Sequence, residues 1–437
     1  MQYVQMFLRM FGIFLLLIRT DLSNLALVIG VNTGIHTTAF VYAETEGRTT
    51  RVTVKSLNSP DTYWSFSTHS LVSVYAISPS LPYIAIADAT DTISVYNLRT
   101  KEASTLDVKL LQAQDAFATD FYYRTSRSLV WSPDDKLLAF IGRTSKARVD
   151  IYIYDTQTRK TKNLTASINL VSDLVNISGW SPDGKWLAYI ATGKQTTNAP
   201  IVEGNIVNLQ GKSVQLLPSQ SVCRLTWSKD SKYLATNTAC SRYSPDKQMS
   251  AIAIFTFDEE GNSSHIIIQD ANTNTYYEEP IWKQDNTVQV VKIETIATAD
   301  LASIVSAHLM IYDNKGIEQQ STQKNINQLQ LDDIARNSIQ QGEWLFWLTA
   351  ATTSEQHLSA YNLATNQLLG EFPATASLCP LEYIRVATQN EYLALLDGCN
   401  LDFPSSIIRI YNLLTGLEEA SFQGKISETI PIGFVKF

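Results

Sequence analysis

Side chains able to do chemistry are sparse in this chain of 437 residues. The histidines His36, His69, His265, His308 and His357 stand far apart. None forms an H-E-x-x-H string or an i, i+4 pair, the spacings that put two imidazoles on one helix face for a metal ion. A G-x-S-x-G nucleophile elbow, the mark of a serine hydrolase domain, is also missing. Glu278-Glu279 and Asp332-Asp333 are adjacent carboxylates of the kind that can share acid–base work. Neighbouring acids on a loop are ordinarily solvated, and a catalytic role requires a perturbed pKa. The reading therefore expects no catalytic residue, no metal site and no cofactor.

The four cysteines fall into two pairs, Cys223 with Cys240 and Cys379 with Cys399. Each pair lies symmetrically about one expected hairpin, so cross-strand pairing would bring its members together. The alternatives are two disulfides in an oxidising compartment and four buried thiols, since disulfide geometry is strict and the spacing is not the C-x-x-C of zinc or redox sites. Asn163-Leu-Thr, Asn176-Ile-Ser and Asn262-Ser-Ser match the N-glycosylation pattern, a pattern common by chance.

Composition sets the elements that must carry these residues. Hydrophobic residues make up 45% and charged residues 17%, enough apolar surface for a folded body. Abundant Tyr, Phe, Thr, Val and Ile favour pleated, half-buried surfaces. A net charge of -8, with no basic stretch interleaved with aromatics, argues against nucleic acid as a partner.

The N-terminus differs from the rest. Phe7 to Ile18 is apolar apart from Arg9, and Leu25 to Val31 is apolar again, yet neither run alone spans a bilayer. Early positive charge, an apolar stretch, and Val41 and Ala43 near a cut site match a secretory signal. Residues 1–43 are read as a signal peptide cleaved after Ala43 or as an uncleaved membrane anchor, with a buried helix of a cytosolic protein as the alternative. No cysteine lies near the apolar run to support a lipoprotein anchor. The expected location is exported: periplasmic, secreted or cell-surface.

Beyond residue 43 the sequence repeats. Trp131-Ser-Pro-Asp-Asp-Lys-Leu-Leu-Ala-Phe140 returns as Trp180-Ser-Pro-Asp-Gly-Lys-Trp-Leu-Ala-Tyr189 and as Trp227-Ser-Lys-Asp-Ser-Lys-Tyr-Leu-Ala-Thr236. Weaker copies start at Ile77, Trp282, Ser338 and Val386, so anchors recur every 47 to 56 residues, the period of a propeller blade. A second element follows each anchor, as in Val95-Tyr-Asn-Leu98, Ile153-Tyr-Asp-Thr156 and Ile410-Tyr-Asn-Leu413.

Ser-Pro-Asp-Gly is turn chemistry: Pro presets φ, Asp can accept from local amides, and Gly supplies an unusual φ. The anchor therefore marks a hairpin between two strands, and the Tyr-Asn-Leu element ends a third strand whose turn leads to a fourth. Trp131, Asp134, Trp180, Asp183, Trp227, Asp230, Trp282 and Asp285 are the blade-anchor residues, with structural rather than catalytic roles. The expectation is an all-β propeller over 44–437, of seven four-stranded antiparallel blades. Ile430 to Phe437 alternates like a strand with one buried face and has no place in blade seven, so it should pair with blade one, the repeat anchored at Ile77, and close the ring, the alternative being a frayed tail.

The Trp180 to Tyr189 motif resembles the Pro-Asp repeat of TolB-type propellers, also found in relatives of prolyl oligopeptidase and dipeptidyl peptidase. The resemblance spans residues 70 to 437 and implies the propeller fold. It departs from TolB in that fewer than 50 residues precede the first strands, where that family carries an α/β domain. Ser181 to Trp186 also resembles the Asp-box turn of sialidases, one residue short. These observations point to an exported or membrane-tethered scaffold that binds a protein or peptide. The alternatives are a propeller enzyme, hydrolase or lactonase-like, whose site assembles at the central channel, and a structural repeat of a surface layer.

Overall fold

The computed structural model describes residues 38–436 except 58–61, 69, 71, 112–127, 146–147, 169–174, 193–201, 218–220, 239–249, 259–260, 271–274, 298–301, 320–337, 342–343, 350–356, 364, 366, 374–384, 387–391, 398–404, 414 and 426–428. Within a repeat, short turns force consecutive strands to run antiparallel. Blade 4 shows the pattern: Val175–Trp180, Trp186–Thr192, Val202–Asn208 and Ser213–Leu216 pair in that order, from the inner strand to the outer.

The described residues form eight such sheets, not the seven expected from the anchors. Blades 2 to 8 open with the inner strands Val72–Ile77, Leu129–Trp131, Val175–Trp180, Val222–Trp227, the split pair Thr275–Tyr277 and Ile281–Trp282, Ser338–Gln341, and Arg385–Val386. Blade 1 is a hybrid of both chain ends, ordered Thr62–Thr68, Thr49–Ser56, Thr38–Glu46, Thr429–Lys436. The count was wrong for a physical reason. The anchor motif is the turn joining inner strand to second strand, and in blade 1 those two strands, Thr429–Lys436 and Thr38–Glu46, are not consecutive in the chain. With no turn to build, there is no motif to see.

Two smaller expectations also change. The division after Ala43 falls inside the strand Thr38–Glu46, where Ala39, Phe40, Val41 and Ala43 are buried, so the propeller body already includes Thr38. Residues 1–37, with the expected signal or anchor, lie outside the described residues. In blade 7 the inner strand runs through the expected anchor Ser338 and continues to Gln341.

Inner strands of neighbouring blades touch: Thr429–Lys436 meets Val72–Ile77, which meets Leu129–Trp131, then Val175–Trp180, Val222–Trp227 and Ile281–Trp282 in turn, and Arg385–Val386 meets Thr429–Lys436. A single four-stranded sheet cannot bury both its faces, so stacking against two neighbours supplies the core. Alternation along each second strand sends neighbouring residues to opposite interfaces. Leu138 packs toward blade 2 with Ala85 and Val95, while Ala139 packs toward blade 4 with Tyr189. Three of the four anchor tryptophans fasten successive blades by their indole N–H groups, whereas Trp227 Nε1 is buried without a hydrogen-bond partner. Trp131 Nε1 donates to Ala76 O (3.1 Å), Trp180 Nε1 to Val130 O (3.2 Å) and Trp282 Nε1 to Thr226 O (2.9 Å), each acceptor standing one residue before the neighbour's anchor.

The seam is packed like an interior interface. Phe40 stacks on Phe422 (5.9 Å between ring centroids) and lies 5.1 Å from Phe434, while Tyr392 stacks on Phe434. Lys55 Nζ sits 4.6 Å above the Phe422 ring. On the other side, Tyr75 Oη donates to Pro431 O at 3.2 Å. No helix among the described residues is long and apolar enough to cross a membrane.

Candidate functional site

Antiparallel order gives the ring two unlike rims. Turns joining inner to second strands and third to fourth strands share one rim, the turn rim. Connections between second and third strands, and from one blade to the next, share the other, the loop rim.

On the turn rim the conspicuous polar residues hold backbone. In blades 3, 4 and 5 the serine after the anchor donates to the aspartate two residues on: Ser132 to Asp134 (2.7 Å), Ser181 to Asp183 (2.6 Å) and Ser228 to Asp230 (2.6 Å). The same three hydroxyls accept from Leu137 N, Trp186 N and Tyr233 N, at 2.9, 3.0 and 2.9 Å. Each aspartate also accepts an amide from the following lysine, Lys136, Lys185 or Lys232. Asp285 in blade 6 accepts from the amide and hydroxyl of Thr287. Partial burial works against ionisation of Asp134, Asp183 and Asp285, but these hydrogen bonds outweigh it and hold each carboxyl below its usual range.

The residue four places after the anchor has positive φ in Asp135, Gly184, Ser231 and Asn286, at 60°, 71°, 63° and 60°. Where it has a polar side chain, it reaches the preceding blade. Asp135 accepts from Ser78 and Ser80, Ser231 Oγ accepts from Asp183 N, and Asn286 Nδ2 donates to Asp230 Oδ2. Gly184 has no side chain to offer. The Tyr-Asn-Leu elements act similarly: Asn97, Asp155, Asn208, Asp258, Asp313, Asn362 and Asn412 all accept backbone N–H groups of the turn that follows. Anchors and turn residues thus form a structural belt.

Two ionic groups that sequence reading missed lie in blades 5 and 6. The inner strand of blade 6 is broken by Glu278-Glu279-Pro280, so its halves Thr275–Tyr277 and Ile281–Trp282 both pair with Val288–Ala297. The break brings Glu279 against Arg224 on the inner strand of blade 5, an ion pair with side chains only 14% and 27% exposed, and Pro280 O accepts from Thr226 Oγ1 at 2.9 Å. Burial pushes the Glu279 carboxyl up even though Arg224 pulls it down. Further out, Lys292 Nζ meets Asp270 (2.5 Å) and Glu294 (3.3 Å), and His308 Nε2 stands 4.0 Å from Glu294. Burial disfavours the Lys292 cation, yet both carboxylates hold its pKa above the lysine norm. Glu278-Glu279 was expected to be a pair of solvated loop acids, whereas Glu279 is mostly buried against Arg224; partners a blade apart meet only in three dimensions.

The remaining candidates separate. His265 packs against the Phe255 ring (5.7 Å), and His357 begins the strand His357–Asn362, while His36, His69 and Asp332-Asp333 lie outside the described residues. The structure gathers no three His, Cys, Asp or Glu side chains in a metal-holding group among the described residues. Cys223 lies on the strand Val222–Trp227, beside a second strand that ends at Thr238; Cys240, Cys379 and Cys399 lie outside the described residues. Asn163 is committed through Nδ2 to the buried Asp150 (3.0 Å), whereas Asn262 is exposed on a turn.

No family model matches the chain, and no curated protein matches it. Solved structures do. Apo AztD from Citrobacter koseri shares 10% identity, with 92% of this chain and 98% of that chain covered, at a TM-score of 0.51. Porphyromonas gingivalis dipeptidyl peptidase 4 shares 12%, with 93% of this chain and 62% of that chain covered, at 0.52. A TolB-type protein of Agrobacterium tumefaciens shares 13%, with 65% of this chain and 88% of that chain covered, at 0.34. At such identities likeness carries the architecture and no activity. What this chain shares with AztD and dipeptidyl peptidase 4 is the fold, a β-propeller.

Proposed function

We propose that the protein is an exported or membrane-tethered propeller that binds a protein or peptide on its loop rim. The carrying observation is where the chain ends meet. Thr38 pairs with Lys436 at the place where blade 1 would have its turn, so both ends of the described body leave from the turn rim. A tether through the N-terminal segment would hold that rim toward its attachment and turn the loop rim outward. The turn rim has its polar side chains engaged in its own backbone, while the loop rim lies nearer the Asp270–Lys292–Glu294–His308 group. Longer connections on a rigid scaffold are where binding surfaces usually form.

The test is capture of partners from an envelope or secreted fraction by the full chain and by a Lys292→Glu, His308→Glu variant. The reading expects one or more specific proteins retained by the wild type and lost by the variant. Equal retention by both would contradict it. The enzymatic alternative is favoured by one observation, the shielded Arg224–Glu279 pair on the inner wall, since buried ionic groups with shifted pKa values occur at catalytic centres. Hydrolysis of ester, lactone or glycoside panels, abolished by Glu279→Gln in a folded variant, would establish it.

A further inference from the structure

A propeller leaves one outer edge strand per blade with unpaired backbone groups, and soluble sheets protect such edges by shortness, charge or proline. Most edges here follow that rule. Glu102–Thr105, Lys160–Asn163 and Ser213–Leu216 are four residues long, and Glu318–Gln319 is two. Glu418–Lys425 carries charges at both ends, and Gln367–Pro373 has an acid and a proline. Thr62–Thr68 is uncharged, but its Trp64 and Phe66 lie against Tyr96 and its outward residues are Ser65 and Ser67.

Blade 5 breaks the rule. Its edge strand, Ser263–Gln269, has seven residues in the sequence Ser-Ser-His-Ile-Ile-Ile-Gln, with no acid, no lysine or arginine and no proline. Ile266 and Ile268 lean toward Gly316 of blade 6, and the contact depends on that glycine: a Cβ there would come within 2.8 Å of Ile266 Cδ1. Ile267 points the other way and is 42% exposed, one of few large apolar side chains so placed among the described residues.

We propose that this edge pairs with the same edge of a second copy of the chain, antiparallel about a two-fold axis at Ile266. Three observations select a second copy over an unrelated peptide. The segment is already an ordered strand in each copy, so pairing orders nothing new. An identical edge brings no like charge opposite itself along the strand. The two-fold places Ile267 of each copy across from His265 of the other and Ser263 across from Gln269, so the exposed isoleucine gains an aromatic neighbour. The product is one continuous eight-stranded sheet across two propellers.

The test is sedimentation of the full chain over a hundredfold concentration range, in detergent wherever the N-terminal segment needs it. Wild type is expected to pass from monomer to dimer, and Ile267→Lys, which puts two cations beside the axis, should weaken the dimer at least tenfold with unchanged thermal unfolding. Ile266→Cys should give a disulfide-linked dimer on mild oxidation, because directly opposed residues have Cα atoms within the span a disulfide bridges. Ser104→Cys on the blade 2 edge should not. A monomer at every concentration, or a dimer indifferent to Ile267→Lys and not captured by Ile266→Cys, overturns the proposal.

Discussion

Blade 1 and blade 4 are the same sheet built in two ways. Blade 4 is continuous in sequence, and its Trp-Ser-Pro-Asp-Gly turn fixes the register of inner and second strands within a few residues. Blade 1 reaches the same order with no such turn, pairing Thr38–Glu46 with Thr429–Lys436 from opposite ends of the body. The turn is therefore not what makes a blade; burial against two neighbours is. What the seam gains is closure: in a ring whose contacts run only between neighbours, this pairing joins the two ends and leaves no blade with an open face.

The largest expected effect follows from that role. Deleting residues 429–436 removes the inner strand of blade 1 together with buried Ile432, Phe434 and Val435. At about 1.5 to 3 kcal/mol per fully buried apolar side chain, the loss is several kcal/mol, a large share of the roughly 5 to 15 kcal/mol that stabilises a domain. Thermal unfolding should show a midpoint lower by many degrees; an unchanged midpoint would mean the seam is ornamental. A point substitution sharpens the comparison. Phe40→Ala at the seam and Phe140→Ala between blades 2 and 3 both empty fully buried sites and should each cost about 3 to 5 kcal/mol in denaturant titrations. A much smaller loss at Phe40 would show a seam looser than an interior interface.

The next effect has the opposite sign. The position after the leucine of the repeat is a fully buried alanine in Ala85, Ala139, Ala188, Ala235 and Ala394, but in blade 6 it is Gln289, also fully buried. Both amide atoms of Gln289 lack a hydrogen-bond partner. Gln289→Met keeps the length and removes the unsatisfied groups, so it should stabilise the protein by about 1 to 3 kcal/mol, readable as a raised unfolding midpoint. Asp183→Ala in the blade 4 turn removes its hydrogen bonds with Ser181 and Lys185 and should cost about 1 kcal/mol, less than either phenylalanine.

The smallest effect is one of pH. Asp134, Asp183 and Asp285 have folded-state pKa values below the ordinary 3.8, so their contribution is present above that pH and is lost as pH falls through the lowered values. Acid unfolding near and below pH 4 should be shallower in a triple Asn variant than in wild type.

These comparisons also show what the sequence could reveal. Anchors at Trp131, Trp180 and Trp227 announced blades because a turn's chemistry is local: Ser, Asp and the residue of positive φ lie within five positions of one another. The terminal strand was legible from the alternation of Ile430, Ile432 and Phe434, although it pairs with Thr38–Glu46 and not, as expected, with the blade anchored at Ile77. The eighth blade was not, because its signature would have been a turn that the chain never makes. The first strand was hidden for another reason: Ala39, Val41 and Ala43 are small and aliphatic, which suits a signal cleavage site and a buried strand alike. Arg224 and Glu279 were invisible as a pair, since nothing in either neighbourhood encodes the other. In blade 6 the turn after Trp282 is one residue shorter than in blade 4, with Trp282 opposite Val288 where Trp180 is opposite Leu187, and the motif fades there.

The central claim is that the two ends of the body close the ring by lying side by side in blade 1, and a cysteine pair reads that adjacency directly. Thr38 and Lys436 are opposed in the register, so Thr38→Cys with Lys436→Cys in the full chain should form a bond under mild oxidation. Peptide mapping by mass spectrometry should recover the segments around 38 and 436 linked to each other, with a raised unfolding midpoint that reductant reverses. Recovery of both segments unlinked, or either joined only to other cysteines, would contradict the closure.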